Sequence, residues 1–211
     1  ASVTVVSDVE FRRLVRENDT VFEGAQGVLL DQQYGFFPHC TRSTTTFENA
    51  ETLLREAGFS GKKERIGLLR GYGTRHGAGP LVTEDTSLEL PHCHNATNLW
   101  QGKFRLGWFD AVAARYALEV VGGVDTLAIT NLDRMCGLPM VKIATEYDQG
   151  DLRFFTKERI IPLEFDKTIL TERTESLSRG TPRFDELSGW SGEGVELSGY
   201  LDRIVRRFLT R

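Results

Sequence analysis

The sequence has few cysteines, no long apolar run and no excess of basic residues, and each absence excludes a class of protein. Only three of its 211 residues are cysteine, which argues against a disulfide framework and favours a reducing, cytoplasmic location. No apolar run could cross a bilayer, and residues 1–6 do not resemble a signal peptide. Lys and Arg number 26 against 30 Asp and Glu. We therefore expect neither nucleic-acid nor membrane binding.

The chain is long enough, and rich enough in glycine, to form a ligand-binding domain. A chain of 211 residues can bury one substantial core, so residues 1–211 are treated as a single domain. Many of its 21 glycines lie beside polar residues. Such clusters favour loops shaped around a ligand.

Helical and strand-like segments alternate along the chain. Four segments with apolar residues at helical spacing are predicted to be helices: residues 7–17, 47–58, 108–121 and 198–208. Four short apolar segments are predicted to be strands: residues 20–22, 66–72, 126–130 and 141–145. No strand or helix is assigned to residues 73–80, a glycine-rich loop, or to residues 86–107 and 146–190. The alternation predicts an α/β fold with a largely parallel sheet and flanking helices.

The segment Val21–Asp31, VFEGAQGVLLD, places an acid, glycines and an amide directly after a predicted strand. Ligands of an open parallel sheet bind beyond the carboxyl ends of its strands. The glycines would let a ligand approach the backbone, and the Gln26 amide suits a neutral carbonyl or lactam edge. Taken alone, the segment favours a tight strand-to-helix turn with a solvent-facing Gln26.

Five segments resemble the adenylosuccinate synthetase family in content and in order. They are FEGAQGVLLDQQYGFFPHCTRSTTT (22–46), YGTRHGAGPLVTE (72–84), KFRLGWFDAVAARYA (103–117), LAITNLDRMCGL (127–138) and FDELSGW (184–190). The resemblance implies the family's P-loop-NTPase-like α/β fold. It also implies a purine-biosynthesis ligase, which joins IMP and aspartate with GTP hydrolysis to give adenylosuccinate.

The resemblance assigns several residues to the IMP site. In the family, GTP phosphorylates the 6-oxygen of IMP, and the aspartate amine then displaces that phosphate. Gln26 matches the catalytic amide at the reacting oxygen, where it stabilises developing charge. Thr41 matches the threonine that binds the nucleotide phosphate, although it could also cap the turn after Pro38. His76 replaces an apolar residue that touches the nucleotide through its backbone, so we expect it at the pocket rim.

One loop falls where the family closes on aspartate. It consists of Leu99, Trp100, Gln101, Gly102, Lys103, Phe104 and Arg105. Lys103 stands where the family has an arginine, at the border of the aspartate and IMP sites, and Trp100-Gln101 replace threonines. Arg105 matches an arginine on the GTP side, and its planar fork suits phosphate or carboxylate. The changes leave open whether aspartate is the amino donor.

Asn131, Leu132 and Asp133 match the family's stretch for the guanine of GTP. The Asp133 carboxylate can accept hydrogen bonds from N1–H and the N2 amine of guanine. Asn131 replaces the lysine that normally lies on the base. Without the resemblance, Asp133 equally fits a helix N-cap after a strand.

Several family features have no counterpart in the sequence. It contains no GxxxxGK[ST] and no GDEGKGK-like phosphate loop, and the family's catalytic aspartate and magnesium ligands belong to that missing region. We therefore expect a central-to-carboxyl portion of a longer, homodimeric enzyme, inactive alone, with GTP and Mg²⁺ serving the whole enzyme. Two alternatives remain open: a paralogue that uses dGMP in place of IMP, and a non-catalytic nucleotide-binding or dimerisation fragment. His39-Cys40 and His92-Cys93-His94 lack zinc-site spacing.

Overall fold

The computed structural model describes residues 3–91, 102–148, 167–192, 199–204 and 206. The helices in these ranges are α1 (Asp8–Glu17), α2 (Glu48–Ala57), α3 (Ala111–Val120), α4 (Lys167–Ser178) and α5 (199–204). The strands are β1 (Ile66–Arg70), β2 (Gly73–His76), β3 (Phe104–Gly107), β4 (Phe109–Asp110), β5 (Thr126–Thr130), β6 (Met140–Tyr147) and β7 (Pro182–Ser188). Short 3-10 turns occupy Val28–Leu30 and Leu132–Met135.

The described strands form three small sheets. β1 runs parallel to β5 with Arg70 opposite Thr130, so both strands end at the same edge. β4 runs parallel to β6, which also pairs antiparallel with β7. β2 and β3 form an antiparallel pair. The predicted α/β class with parallel strands is confirmed, and the antiparallel pairs are additions to it.

Helix α3 joins two buried clusters. The larger cluster consists of Tyr72, Leu88, Leu90, Trp108, Phe109, Ala111, Ala114, Met135, Val141, Ile143, Trp190, Tyr200 and Ile204. The smaller cluster consists of Phe36, Val112, Tyr116, Tyr147 and Leu177. Because Ala111 and Ala114 face one cluster while Val112 and Tyr116 face the other, α3 is buried on two sides. Phe36 belongs to an irregular loop, so the smaller cluster anchors that loop against α3 and α4.

Local sequence signals placed the first two helices correctly. The Ser7 hydroxyl accepts a hydrogen bond from the Glu10 amide at 3.3 Å, as the capping pattern predicts. Gly58 ends α2 in the left-handed conformation, with φ of 68°. Arg16 of α1 donates to the carbonyl of Ala57 at 3.0 Å, which joins the two helices.

Three predicted segments differ in the structure. Residues 20–22 are not a buried strand: Val21 is 93% exposed and pairs with no described strand. The segment predicted as a loop from Gly73 begins instead with strand β2. It is a strand because it pairs with β3, which lies in a stretch for which no helix or strand was predicted. The predicted helix 108–121 begins at Ala111, since Asp110 caps it and the preceding residues are extended. No helix in the described ranges is long and apolar enough to span a membrane.

Candidate nucleotide site

Asp31 closes the irregular loop formed by residues 31–46, here called the threonine loop. Its side chain is buried, at 1% exposure. One carboxylate oxygen accepts from the backbone amides of Gln33 and Tyr34, at 2.8 and 3.2 Å. The other accepts from the backbone amide and hydroxyl of Thr45, at 2.6 and 3.3 Å. A single acid therefore joins the two ends of the loop, with charge-assisted hydrogen bonds.

Thr41 lies within this loop, in a run of hydroxyl residues. Its amide donates to the carbonyl of Leu30 at 2.7 Å, which fixes the Thr41 backbone beside the 3-10 turn. Its hydroxyl lies 3.3 Å from the hydroxyl of Ser43. Hydroxyls and backbone amides are common donors to phosphate, so the loop has donors suited to an anion.

Polar side chains of helices α3 and α4 hold the threonine loop through its backbone carbonyls. The Tyr116 hydroxyl donates to the carbonyl of Tyr34 at 2.5 Å. Arg173, only 6% exposed, donates to the Tyr116 hydroxyl at 3.0 Å, and Thr174 donates to the carbonyl of Phe37 at 2.7 Å. Burial raises the pKa of Tyr116 to about 12, so its hydroxyl stays protonated and can donate. The loop is therefore fixed by side chains of other elements.

A glycine turn, residues 77–79, follows β2 and is held by Arg105 of β3. The Arg105 guanidinium donates to the carbonyls of Gly77 and Gly79, at 3.0 and 2.7 Å. Its other side forms a two-point ion pair with Glu84, which includes a 2.9 Å bond from Nε. The pair lowers the pKa of Glu84 and raises the pKa of Arg105. Gly77 and Gly79 have φ of 66° and 107°, a conformation that favours glycine.

Arg75 of β2 joins the glycine turn to the threonine loop. Its Nε donates to the carbonyl of Ala78 at 2.9 Å, and its Nη2 donates to the carbonyl of His39 at 3.0 Å. The Arg75 guanidinium, 36 residues after His39, thus brings the two loops together. Together, the loop and the turn make the candidate site.

A family model for adenylosuccinate synthetase matches residues 2–209. The chain belongs to the adenylosuccinate synthetase family. An adenylosuccinate synthetase of Citrifermentans bemidjiense is 34% identical over 202 residues, covering 90% of this chain and 42% of the relative. One of Pseudoalteromonas atlantica is 33% identical over 221 residues, covering 100% of this chain and 47% of the relative. The chain thus spans about half the length of the curated relatives it matches.

A solved structure has the same fold. It is a fully ligated adenylosuccinate synthetase from Plasmodium falciparum, with a TM-score of 0.71 and 20% identity, and the match covers 97% of this chain and 49% of that chain. At this identity the likeness supports the fold and carries no residue roles. It confirms the predicted adenylosuccinate synthetase fold.

Gln26, the amide matched to the adenylosuccinate synthetase catalytic residue, lies on the surface. It is exposed and has a left-handed backbone, with φ of 65°, two residues before the 3-10 turn that starts at Val28. The strand predicted to precede it is not formed in the described chain. The link from Gln26 to Thr41 runs through Leu30, four residues after the amide, whose carbonyl accepts from Thr41.

His76 and Lys103, the other residues matched to the IMP site, lie together where β2 meets β3. His76 pairs in register with Phe104, and their ring centroids are 4.8 Å apart. The Nδ1 atom of His76 is buried and has no hydrogen-bond partner among the described residues. The carbonyl of Lys103 accepts from the Gly77 amide at 2.9 Å, while its side chain is exposed.

The predicted aspartate loop is only partly described. Leu99, Trp100 and Gln101 lie outside the described residues. Gly102 has φ of 70°, and a Cβ there would lie 3.2 Å from the Cα of Gly77, so the two glycines pack closely. Arg105 is already committed to Glu84 and the glycine turn, so a ligand carboxylate would have to replace Glu84 to use both edges of its fork.

Asp133 lies at the shared carboxyl edge of β1 and β5, on the exposed side of the 3-10 turn that follows β5. Asn131 is the N-cap residue of this turn, with φ of 59°, and its side chain makes no capping bond. The N-cap interpretation of Asp133 is therefore wrong, and its carboxylate is left exposed. In the described part of the chain, no hydrogen bond or ion pair joins Asp133 to the threonine loop.

Sequence reasoning missed the residues that hold the site together. Asp31, Arg75, Glu84 and Arg173 had no predicted role, although the first three lie inside segments that resemble the family. An acid directly after an apolar run was a usable signal for Asp31. Arg173 lay in a stretch with no assigned element and gave no signal.

Proposed function

We propose that this chain forms the purine-nucleotide-binding part of an adenylosuccinate synthetase. The observation that carries the proposal is the family match over residues 2–209, which includes the whole threonine loop, the glycine turn and the exit of β5. Because the chain spans about half the length of its relatives, the ligase activity belongs to the whole enzyme. We expect the whole enzyme to be cytoplasmic and homodimeric. The chain alone is expected to be inactive.

The threonine loop binds the purine monophosphate in this proposal. The Thr41 hydroxyl donates to the nucleotide phosphate, and His76 and Lys103 border the same nucleotide. The Gln26 amide donates to the purine 6-oxygen as that oxygen attacks the γ-phosphorus of GTP. The O–P bond forms, the bond from the γ-phosphorus to the bridging oxygen breaks, GDP leaves and purine N1 loses its proton. The aspartate amine then attacks C6: the C–N bond forms, the C–O bond breaks, phosphate leaves and the amine loses a proton.

The other substrates bind at the antiparallel pair of β2 and β3 and at the carboxyl end of β5. Residues 99–105 bind aspartate in this proposal, with Lys103 and Arg105 supplying positive charge. Arg105 also faces the GTP side, and the exposed Asp133 carboxylate accepts from the guanine edge, with Asn131 and Leu132 beside the base. Glu84 already pairs with Arg105. Arg105 therefore either holds the glycine turn in place without contacting a ligand, or releases Glu84 and binds a ligand anion instead.

Magnesium is expected for the whole enzyme, but the described residues do not fit it. Mg²⁺ prefers oxygen ligands in octahedral geometry, commonly from carboxylates and phosphates. Across the described ranges, no three histidine, cysteine or acidic side chains come together in a way that could hold a metal ion.

Equilibrium titration of the chain with IMP, dGMP and GTP, by calorimetry, tests the nucleotide sites. Losing one hydrogen bond to a charged phosphate costs about 1.5–3 kcal/mol, which is about 10- to 100-fold in Kd. We expect a loss of this size for IMP in Thr41→Ala, with GTP binding unchanged. Asp133→Ala should do the reverse, and Thr20→Ala, an exposed threonine outside the site, should change neither.

The outcomes separate the alternatives. Tighter binding of dGMP than of IMP would favour the dGMP-using paralogue. Absence of binding by every purine nucleotide would overturn the proposed site. Chromatography should detect no adenylosuccinate formed by the chain alone. A measurable rate would contradict the expectation that the chain is inactive by itself.

A further inference from the structure

We infer that Arg75 is a positioning residue that couples the threonine loop to the glycine turn and so transmits changes at Arg105 to Thr41. The inference rests on the proposed function only in that Thr41 contacts the nucleotide. The mechanical link itself, through Arg75, does not require a nucleotide.

The Arg75 guanidinium fits between two loops. It donates to the carbonyl of His39, two residues before Thr41, and to the carbonyl of Ala78, at 3.0 and 2.9 Å. A Cβ added at Gly79 would lie 2.3 Å from Nη2 of Arg75. The glycine therefore packs directly on the guanidinium, and the planar fork fixes the spacing of the two loops.

The surroundings of Arg75 indicate a positioning role rather than an ordinary ion pair. No carboxylate lies within ion-pair distance of it in the described part of the chain, whereas Arg105 is paired with Glu84. Burial first, and the nearby Arg105 second, lower the pKa of Arg75. A surface salt bridge would pair the guanidinium with a carboxylate, whereas the half-buried Arg75 donates to two neutral carbonyls. Arg75 therefore fixes the positions of those two carbonyls.

The glycine turn completes the coupling. Arg105 holds the carbonyls of Gly77 and Gly79, and Arg75 holds the carbonyl of Ala78 between them. A movement of Arg105, for example when a ligand anion replaces Glu84, must therefore shift the carbonyl on which Arg75 depends. Because coupling between two sites is reciprocal, binding at Thr41 affects the Arg105 side equally.

Thiol labelling followed by peptide mass spectrometry tests the link without any ligand. Cys40 lies beside His39 and is half-buried, whereas Cys136 is exposed and serves as the reference within each molecule. Burial and the nearby Asp31 raise the pKa of the Cys40 thiol, so it should label slowly until the loop opens. In Arg75→Ala we expect the Cys40 rate, relative to Cys136, to rise at least several-fold.

Three comparisons distinguish positioning from general loosening. Arg70→Ala removes a neighbouring exposed arginine whose side chain donates to Thr74, at 3.3 Å, and to no other described residue, and it should leave the Cys40 rate unchanged. Added ethylguanidinium should slow Cys40 labelling in Arg75→Ala but not in Arg70→Ala, because only the former has a vacated guanidinium space. Arg75→Lys should label faster than the parent, since one ammonium cannot span both carbonyls.

The inference is overturned if Arg75→Ala leaves the Cys40 rate unchanged, or if Arg70→Ala raises it equally. If Arg75→Ala does not fold, Arg75→Lys decides, and a rate equal to the parent's overturns it. Titration with IMP then separates the two proposals. An IMP affinity that falls about tenfold in Arg75→Ala supports both proposals. A parent chain that binds no IMP refutes the proposed nucleotide site, and the labelling rates alone then test the role of Arg75.

Discussion

The junction between β4, β6 and α3 depends on a hydrogen bond whose removal should have a pH-dependent effect on stability. The Tyr147 hydroxyl donates to one carboxylate oxygen of Asp110 at 2.5 Å, and the other oxygen caps α3 by accepting from the Ala113 amide at 2.9 Å. Burial raises the pKa of Asp110, although these two hydrogen bonds oppose it. Burial and Asp110 raise the pKa of Tyr147, so its hydroxyl remains a donor.

Tyr147→Phe keeps the ring and removes the donor. At a pH above the folded pKa of Asp110, where the carboxylate is charged, a hydrogen bond to a charged group contributes about 1.5–3 kcal/mol, so we expect the free energy of unfolding to fall there by about 2 kcal/mol. The Asp110 pKa in the folded state lies above its unfolded value of about 3.9. Ionising Asp110 therefore lowers stability as pH rises from that value through the folded pKa.

The variant raises the folded pKa of Asp110 further, so its deficit should grow with pH across that window. The loss should be smallest near pH 4, where Asp110 is protonated, and reach its full size above the folded pKa. Urea unfolding from pH 4 to 8, followed by the fluorescence of the buried Trp108 and Trp190, measures it. Tyr34→Phe is the control, because the Tyr34 hydroxyl makes no hydrogen bond to a described residue. An equal deficit at pH 4 and pH 8 would refute the reasoning.

Two further substitutions test the close contacts and the loop. Gly189→Ala would place a Cβ 1.7 Å from the carbonyl oxygen of Leu138, so we expect a loss of about 3 kcal/mol or more in unfolding free energy, whereas Gly24→Ala, with open space around it, should be near neutral. Asp31→Asn leaves one acceptor oxygen for the two sets of donors, so a loss of about 2 kcal/mol is expected, with weaker IMP binding. An unchanged urea midpoint would show that the acid does not close the loop.

The sequence predicted best those elements whose signals are local. Ser7 and Gly58 mark helix ends through their own chemistry, and β5 has the predicted bounds Thr126–Thr130. Strands that depend on a distant partner were predicted poorly. Gly73–His76 contains a glycine and polar residues and is a strand because Phe104–Gly107 pairs with it, nearly 30 residues later. Residues 20–22 have strand composition but no described partner.

The candidate site shows the same division. Resemblance to the family assigned Thr41 and Asp133 to the site through short sequence motifs, and these assignments stay predictions. The residues that fix the site act on backbone carbonyls, which no motif records. Arg173 and Thr174 of α4 are buried because they contact the threonine loop or its partner. Thr174 donates to the carbonyl of Phe37, and Arg173 donates to the Tyr116 hydroxyl, which itself holds the loop. A helix that buries such residues lacks a clear apolar face, so periodicity gave no prediction there.

The threonine loop has no helix or strand of its own from Gln32 to Thr46, so its position is set by other elements. The carbonyls of Tyr34, Phe37 and His39 accept hydrogen bonds from α3 and α4, from α4 and from β2, in that order. Held in this way, the loop does not have to be ordered when a ligand binds, which preserves affinity. Substitutions in α4 that touch no ligand should therefore weaken nucleotide binding, because they release the loop rather than remove a ligand contact.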